Sequence, residues 1–198
     1  MRHNRFRYAF WEEARAAGLD VEKEKANLLP ERPDQDGIPT VSGRRPADVF
    51  WKDGEPVGGG SRCRGIAWDF AVTSGMRADR LRGQGEDVGR VFREYEDFKR
   101  QHLDTATQCS KEGFFFEPLV VEAHGGGWSG TLRKVIDDIA ARQTTLHEGP
   151  EPASLRIAQR LTICLQAENA RAILKRLTGP EPAEGKEEEV MWETGQFQ

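Results

Sequence analysis

The chain has 198 residues, 37% of them hydrophobic and 31% charged, and a net charge of -4. That length suits one domain, or one domain with an appendage, and suffices for a single buried core. No apolar run approaches the length that spans a bilayer, so a soluble protein with no membrane partner is expected. The basic start, Arg2 to Arg7, is not followed by an apolar stretch and a small-residue cleavage site, so no signal peptide is expected. The three cysteines, Cys63, Cys109 and Cys164, are odd in number and far apart. That argues against a disulfide framework or a thiolate zinc site, and for a reducing intracellular setting.

In chain order, Phe6, Phe10, Ala14 and Ala17 are spaced as one helix face, and Gly18 follows as a left-handed stop with Leu19 packing back. A short strand is read at Val21 to Lys25, and residues 30–45, rich in Pro, Asp and Gly, read as a loop. Ala47, Val49 and Trp51 alternate with Asp48 and Phe50, and Ile66, Trp68, Phe70 and Val72 alternate with Ala67, Asp69, Ala71 and Thr73. Both stretches carry the period of a strand. From Glu86 to Gly113 the spacing of Val88, Phe92, Tyr95, Lys99, His102, Ala106 and Cys109 predicts one helix, capped by Gly113. Phe114 to Glu122 is apolar on both faces, as a buried strand is, with Pro118 demanding a bulge or an edge. Leu132, Val135, Ile136, Ile139 and Ala140 mark a further helix. After the break at residues 149–152, Ser154 reads as the N-cap of a last helix with Leu155, Ala158, Leu161, Leu165 and Ala172 on one face. The tail from Glu181 to Gln198 carries a charge of -5, leaving the rest at +1, and reads as disordered. The order of elements predicts an α/β fold, a mixed sheet flanked by helices.

Hydrolysis of a phosphodiester by a divalent metal needs carboxylates converging from different elements, with a cation close by. Asp48 and Asp69 sit in otherwise apolar strands, and Asp69 shares its face with the small Ala67 and Ala71, which leaves room around a carboxylate. The bland alternative is an aspartate on a solvent face. Lys99 lies on the apolar stripe of its helix between Tyr95 and His102, where a lysine is unusual unless paired, functional or snorkelling. Glu24 is a further acid, although its charged neighbours allow a plain solvated segment. Arginine clusters at Arg2, Arg5 and Arg7, at Arg44 and Arg45, at Arg62 and Arg64, and at Arg77, Arg80 and Arg82 are candidates for gripping a phosphate backbone. Neither triple glycine (58–60, 125–127) carries the trailing Lys-Ser/Thr of a phosphate loop, so both read as turns. Glu122 and His124 fall on one strand face, but two ligands are too few for zinc.

Arg44-Arg45-Pro46-Ala47-Asp48-Val49, followed by Asp69-Phe70-Ala71-Val72-Thr73-Ser74, resembles the restriction-endonuclease-like, PD-(D/E)XK-type domain at the C-terminal end of non-LTR retrotransposon reverse-transcriptase polyproteins. In that family a Pro-Asp motif leads into a strand, a second Asp opens a downstream strand, and a Lys lies near a Tyr in the following helix. The matching positions are Pro46 with Asp48, then Asp69, then Lys99 with Tyr95. Arg2-His3-Asn4 is similar to the motif that follows the zinc knuckle of such polyproteins, and the blocks from Gly113 to Trp128 and from Glu168 to Ala172 resemble segments of the same elements. The resemblance spans about residues 2 to 177. It implies a Mg²⁺- or Mn²⁺-dependent DNA endonuclease in which Asp48 and Asp69 hold metal, Lys99 assists the water or the phosphate, Tyr95 and Glu24 support them, and arginines hold the DNA backbone. It further implies a nuclear setting and a fragment of a longer product, with residues 1–148 as the endonuclease-like domain, 149–179 as a helical appendage and 180–198 as the acidic tail. The sequence departs from the pattern in reading Pro-Ala-Asp, in the longer spacing from Asp48 to Asp69, and in carrying Ala71 where the superfamily has Lys. Those departures define the alternative: a decayed nuclease fold serving as a DNA- or protein-binding module.

Overall fold

The computed structural model describes residues 2–30, 46–56, 63–74, 89–124, 127–146 and 152–178. Helix α1 (Arg2–Ala16) leads into the short strand β1 (Val21–Lys23), then β2 (Val49–Lys52) and β3 (Gly65–Thr73). Helix α2 (Arg90–Gln101), a 3₁₀ turn (His102–Asp104) and helix α3 (Thr105–Lys111) carry the chain to β4 (Phe114–Glu122). Helices α4 (Gly130–Leu146) and α5 (Ala153–Thr178) complete the described fold. The four strands form one sheet in the order β1-β2-β3-β4, with β1/β2 and β2/β3 antiparallel and β3/β4 parallel. The expected α/β class and mixed sheet are therefore present.

Alternation along β3 separates two unlike layers. Ile66, Trp68 and Phe70 are buried on one face among Phe6 and Phe10 of α1, Val135 and Ile139 of α4, and Ile157, Leu161 and Leu165 of α5. Rings interlock there edge to face, Phe10 lying 5.3 Å from Trp68 and 4.8 Å from Phe70. The opposite face carries Ala67, packed with Phe50, Phe114, Phe116 and Cys109, and Ala71, packed with Phe92 and Val120. Asp69 lies between those two small residues, so its face is covered by α2 and α3 rather than open to solvent. The stretch read as an appendage, α5, contributes Ile157, Leu161 and Leu165 to the same core as α1 and the sheet.

Several local expectations are corrected. The single helix from Glu86 to Gly113 is broken, because Leu103 and Asp104 both adopt positive φ (53° and 56°). Thr105 closes the new turn by donating to the His102 carbonyl at 2.7 Å. Asp48 does not lie within a strand: Val49 is the first paired residue of β2. Ser154 is not the N-cap but the second residue of α5, whose first turn closes on the Pro152 carbonyl. The buried face of that helix runs through Ile157, Leu161 and Leu165, while Leu155 is exposed. Residues 157, 161 and 165 recur once per turn and so form the continuous stripe, which a residue six positions from Leu161 cannot join. Pro118 stands in β4, at one edge of the described sheet, where its missing N–H costs no ladder bond on the outer side. Residues 30–45 other than Pro30, the glycines at 58–60 and the acidic tail lie outside the described residues.

Beside Pro118, Glu117 is buried and accepts a 2.8 Å hydrogen bond from the Trp68 indole. Burial pushes its pKa above the ordinary value of 4.5, and the Trp68 hydrogen bond and the Arg100 charge only partly oppose that. Since the raised value favours the protonated acid in the folded state, its contribution to stability is present below about pH 4.5. It is lost as pH rises through the higher folded value. Glu117→Gln keeps an oxygen acceptor for Trp68 and removes the charge. Its melting temperature is expected to exceed that of the natural chain by a few degrees at neutral pH, with the gap closing toward pH 4. Thermal melts of both proteins across that range check it; a gap that does not change with pH would contradict the assignment.

Candidate active site

Asp69 is central in β3 and faces α2 because the large residues on either side of it must face the main core. Lys99 sits near the end of α2, one turn beyond Tyr95, and places its Nζ 2.9 Å from Asp69 Oδ2. Both side chains are mostly enclosed, at 26% and 20% exposure. Burial alone would lower the pKa of Lys99. The charge and hydrogen bond of Asp69, with further contributions from Tyr95 and Asp48, outweigh it and hold the amine above the usual lysine value. Lys99 is therefore a fixed cation at neutral pH and not a general base. Tyr95 packs partly buried beside Ala71, Phe92 and Val120.

Asp48 reaches the same region from the start of β2. Its N–H donates to the Trp68 carbonyl at 2.9 Å, and its carbonyl accepts the Glu24 N–H at 3.0 Å. Its Oδ2 accepts the Phe70 N–H at 2.7 Å. Where β2 stops pairing, the Asp48 carboxylate continues the hydrogen bonding along β3, which fixes it against the Asp69-Phe70 peptide. The strand accordingly begins at Val49, two residues later than the alternation from Ala47 suggests. Glu24 follows β1 in a left-handed conformation, φ 47°, which turns the chain back after its last paired residue. A non-glycine residue held there costs on the order of 1 kcal/mol.

The residue that the sequence reading missed in this role is Arg7. It was read as one of a phosphate-gripping cluster, yet its guanidinium is turned inward. Nη1 bonds the Glu24 carboxylate and lies 3.7 Å from Asp48 Oδ1. Arg5 is likewise committed, pairing at 3.0 Å with the buried carboxylate of Glu168. Arg64 lies over the Phe114 ring. The remaining arginines of those clusters have side chains outside the described residues. The signal for Arg7 was a basic residue next to Phe6 and one turn before Trp11, on the flank of the apolar stripe of α1.

The five sequence-chosen residues thus fall into one neighbourhood. Asp69, Lys99 and Tyr95 meet on the covered face of β3, and Asp48 and Glu24 meet at the β1/β2 end, with Arg7 between the latter two. Glu122 and His124 also come together, Nδ1 to Oε1 at 3.2 Å, with Ser74 Oγ at 3.4 Å from the same nitrogen. Because the acid and the hydroxyl compete for one imidazole nitrogen, this is not the relay geometry of a nucleophilic serine. Among the described residues no three His, Cys, Asp or Glu side chains converge as a metal cluster. Two carboxylates, Asp69 in β3 and Asp48 just before β2, the latter anchored by a backbone N–H, are compatible with a hydrated magnesium ion, which takes few protein ligands. No helix among the described residues is long and apolar enough to cross a membrane. No protein-family model matches the sequence, and no curated protein matches it either.

Proposed function

We propose that this chain is a metal-dependent DNA endonuclease domain of retrotransposon origin, with a restriction-endonuclease-like fold of the PD-(D/E)XK type. The observation that carries the reading is the Lys99–Asp69 pair, 2.9 Å apart on an enclosed face of the central strand, with Asp48 anchored alongside. A surface lysine paired with a surface aspartate would need no such enclosure. In this reading Asp48 and Asp69 hold Mg²⁺ or Mn²⁺. The bound metal supplies an activated water and charge neutralisation at the phosphate. Lys99, held protonated, stabilises negative charge developing on the scissile phosphate. Tyr95 positions the Lys99 amine, and Glu24 holds Arg7 in place. The DNA is gripped through its backbone, without sequence readout. A nuclear setting accompanies that origin.

Two observations favour a second reading, a decayed fold that binds DNA or protein without cutting. Each carboxylate already faces a cation of its own, Arg7 at Asp48 and Lys99 at Asp69, and position 71 is alanine, buried against Phe92 and Val120. Incubation of the folded chain with supercoiled plasmid distinguishes the two. The nuclease reading expects open-circular product with Mg²⁺ or Mn²⁺ and none with EDTA. Retention of supercoiled plasmid under both conditions, together with a mobility shift, supports the binding module.

A further inference from the structure

We infer that Arg7 is the resident counter-cation of the Glu24–Asp48 carboxylate pair and thereby sets how tightly the site takes up a divalent cation. The inference rests on the proposed metal-dependent reading and deepens it.

Arg7 is held between the α1 anchors Phe6 and Phe10, both fully buried, and its side chain is only 13% exposed. Its Nη1 faces both acids, while its Nε is buried with no hydrogen-bond partner among the described residues. Enclosing a guanidinium is costly. Asp48 does not depend on Arg7 for its position. The Phe70 N–H fixes the Asp48 carboxylate, and the Trp68 carbonyl and the Glu24 N–H fix its backbone. What Arg7 adds at Asp48 is positive charge. It stands at Asp48 Oδ1, the oxygen not taken by the Phe70 N–H and so the one better placed to ligate a metal. A divalent ion arriving there meets a carboxylate already partly neutralised and a like charge beside it. Lys99 plays the equivalent part at Asp69, on the other side of the site.

Removing the charge at position 7 should therefore tighten metal binding. Arg7→Met keeps the aliphatic stem; Arg7→Lys keeps a charge but loses the planar fork. Mn²⁺ affinity read by electron paramagnetic resonance, without DNA, is expected to rise about tenfold or more in Arg7→Met, since a cation at this range biases a carboxylate by at least that factor. Arg7→Lys is expected to fall between that variant and the natural chain. Circular dichroism shows whether each variant is folded; if Arg7→Met is not, the rise in Arg7→Lys carries the test. Affinity that is unchanged or weaker in the folded variants, with clear Mn²⁺ binding by the natural chain, overturns the role of Arg7 and leaves the nuclease reading standing. No Mn²⁺ binding by any of the proteins overturns both. Binding that appears only once Arg7 is replaced supports the role of Arg7 and removes metal-dependent cleavage as a property of the natural chain.

Discussion

Asp69→Asn is expected to lower metal-dependent plasmid nicking by a factor of about 10³ or more while the fold is retained. Asparagine has the same shape and keeps an oxygen for Lys99, so packing between Ala67 and Ala71 is undisturbed. It removes the negative charge, and with it both the proposed metal ligand and the counter-ion of Lys99. Without that charge the burial of Lys99, which by itself disfavours the protonated amine, is no longer outweighed to the same extent. One neutral substitution thus weakens two functional groups. Lys99→Met tests the other half of the pair, with an expected loss of about 10²–10³ in rate. Because the two act as a unit, the double variant should be scarcely slower than Asp69→Asn alone. Rates of conversion of supercoiled to open-circular plasmid, with an EDTA control, measure all three. Nicking by Asp69→Asn within about tenfold of the natural chain would remove Asp69 as a ligand, whatever the fold.

Much of the scaffold around this pair was legible because it depends on local period. Ile66, Trp68 and Phe70 against Ala67, Asp69 and Ala71 gave both the strand and the unlike faces of β3. Lys99 was legible as a charge out of place on an apolar stripe. What escaped was set by contacts between distant elements. Arg7 meets Glu24 and Asp48 only when α1 lies across the end of β1 and β2, and an arginine in the basic opening segment of the chain reads locally as surface. The observed β2 starts two residues after Ala47, because the Asp48 side chain, not its backbone, completes the bonding to Phe70. The break at Leu103 and Asp104 carries neither glycine nor proline, so the usual marker of a left-handed residue is missing. In each case a tertiary hydrogen bond or ion pair decided between options that propensity leaves nearly equal.

Trp68→Ala is expected to destabilise the domain by about 3–5 kcal/mol, a large share of the roughly 5–15 kcal/mol that holds a domain folded. The side chain is 1% exposed, stacks on Trp51 at 5.5 Å and meets Phe10 edge to face. Truncation opens a cavity where β3 crosses α1, and strand backbones and helix anchors on both sides prevent the site from collapsing to fill it. It also strands the Glu117 carboxylate, whose hydrogen bond from the Trp68 indole is lost inside the protein. The two penalties separate by double substitution. If the orphaned carboxylate matters, Glu117→Gln should recover part of the loss in the Trp68→Ala background, beyond its effect alone, because the charge is gone. If the cavity is the whole cost, the two substitutions add independently. Urea denaturation of the four proteins gives the midpoints that decide. Trp68 precedes Asp69 directly and its carbonyl accepts the Asp48 N–H, so the same truncation should lower nicking along with stability. By contrast, Asp69→Asn should lower nicking alone. A Trp68→Ala protein that keeps its unfolding free energy within about 1 kcal/mol of the natural chain would mean that β3 is not the central strand of the core, and the placement of Asp69 and Lys99 would fall with it.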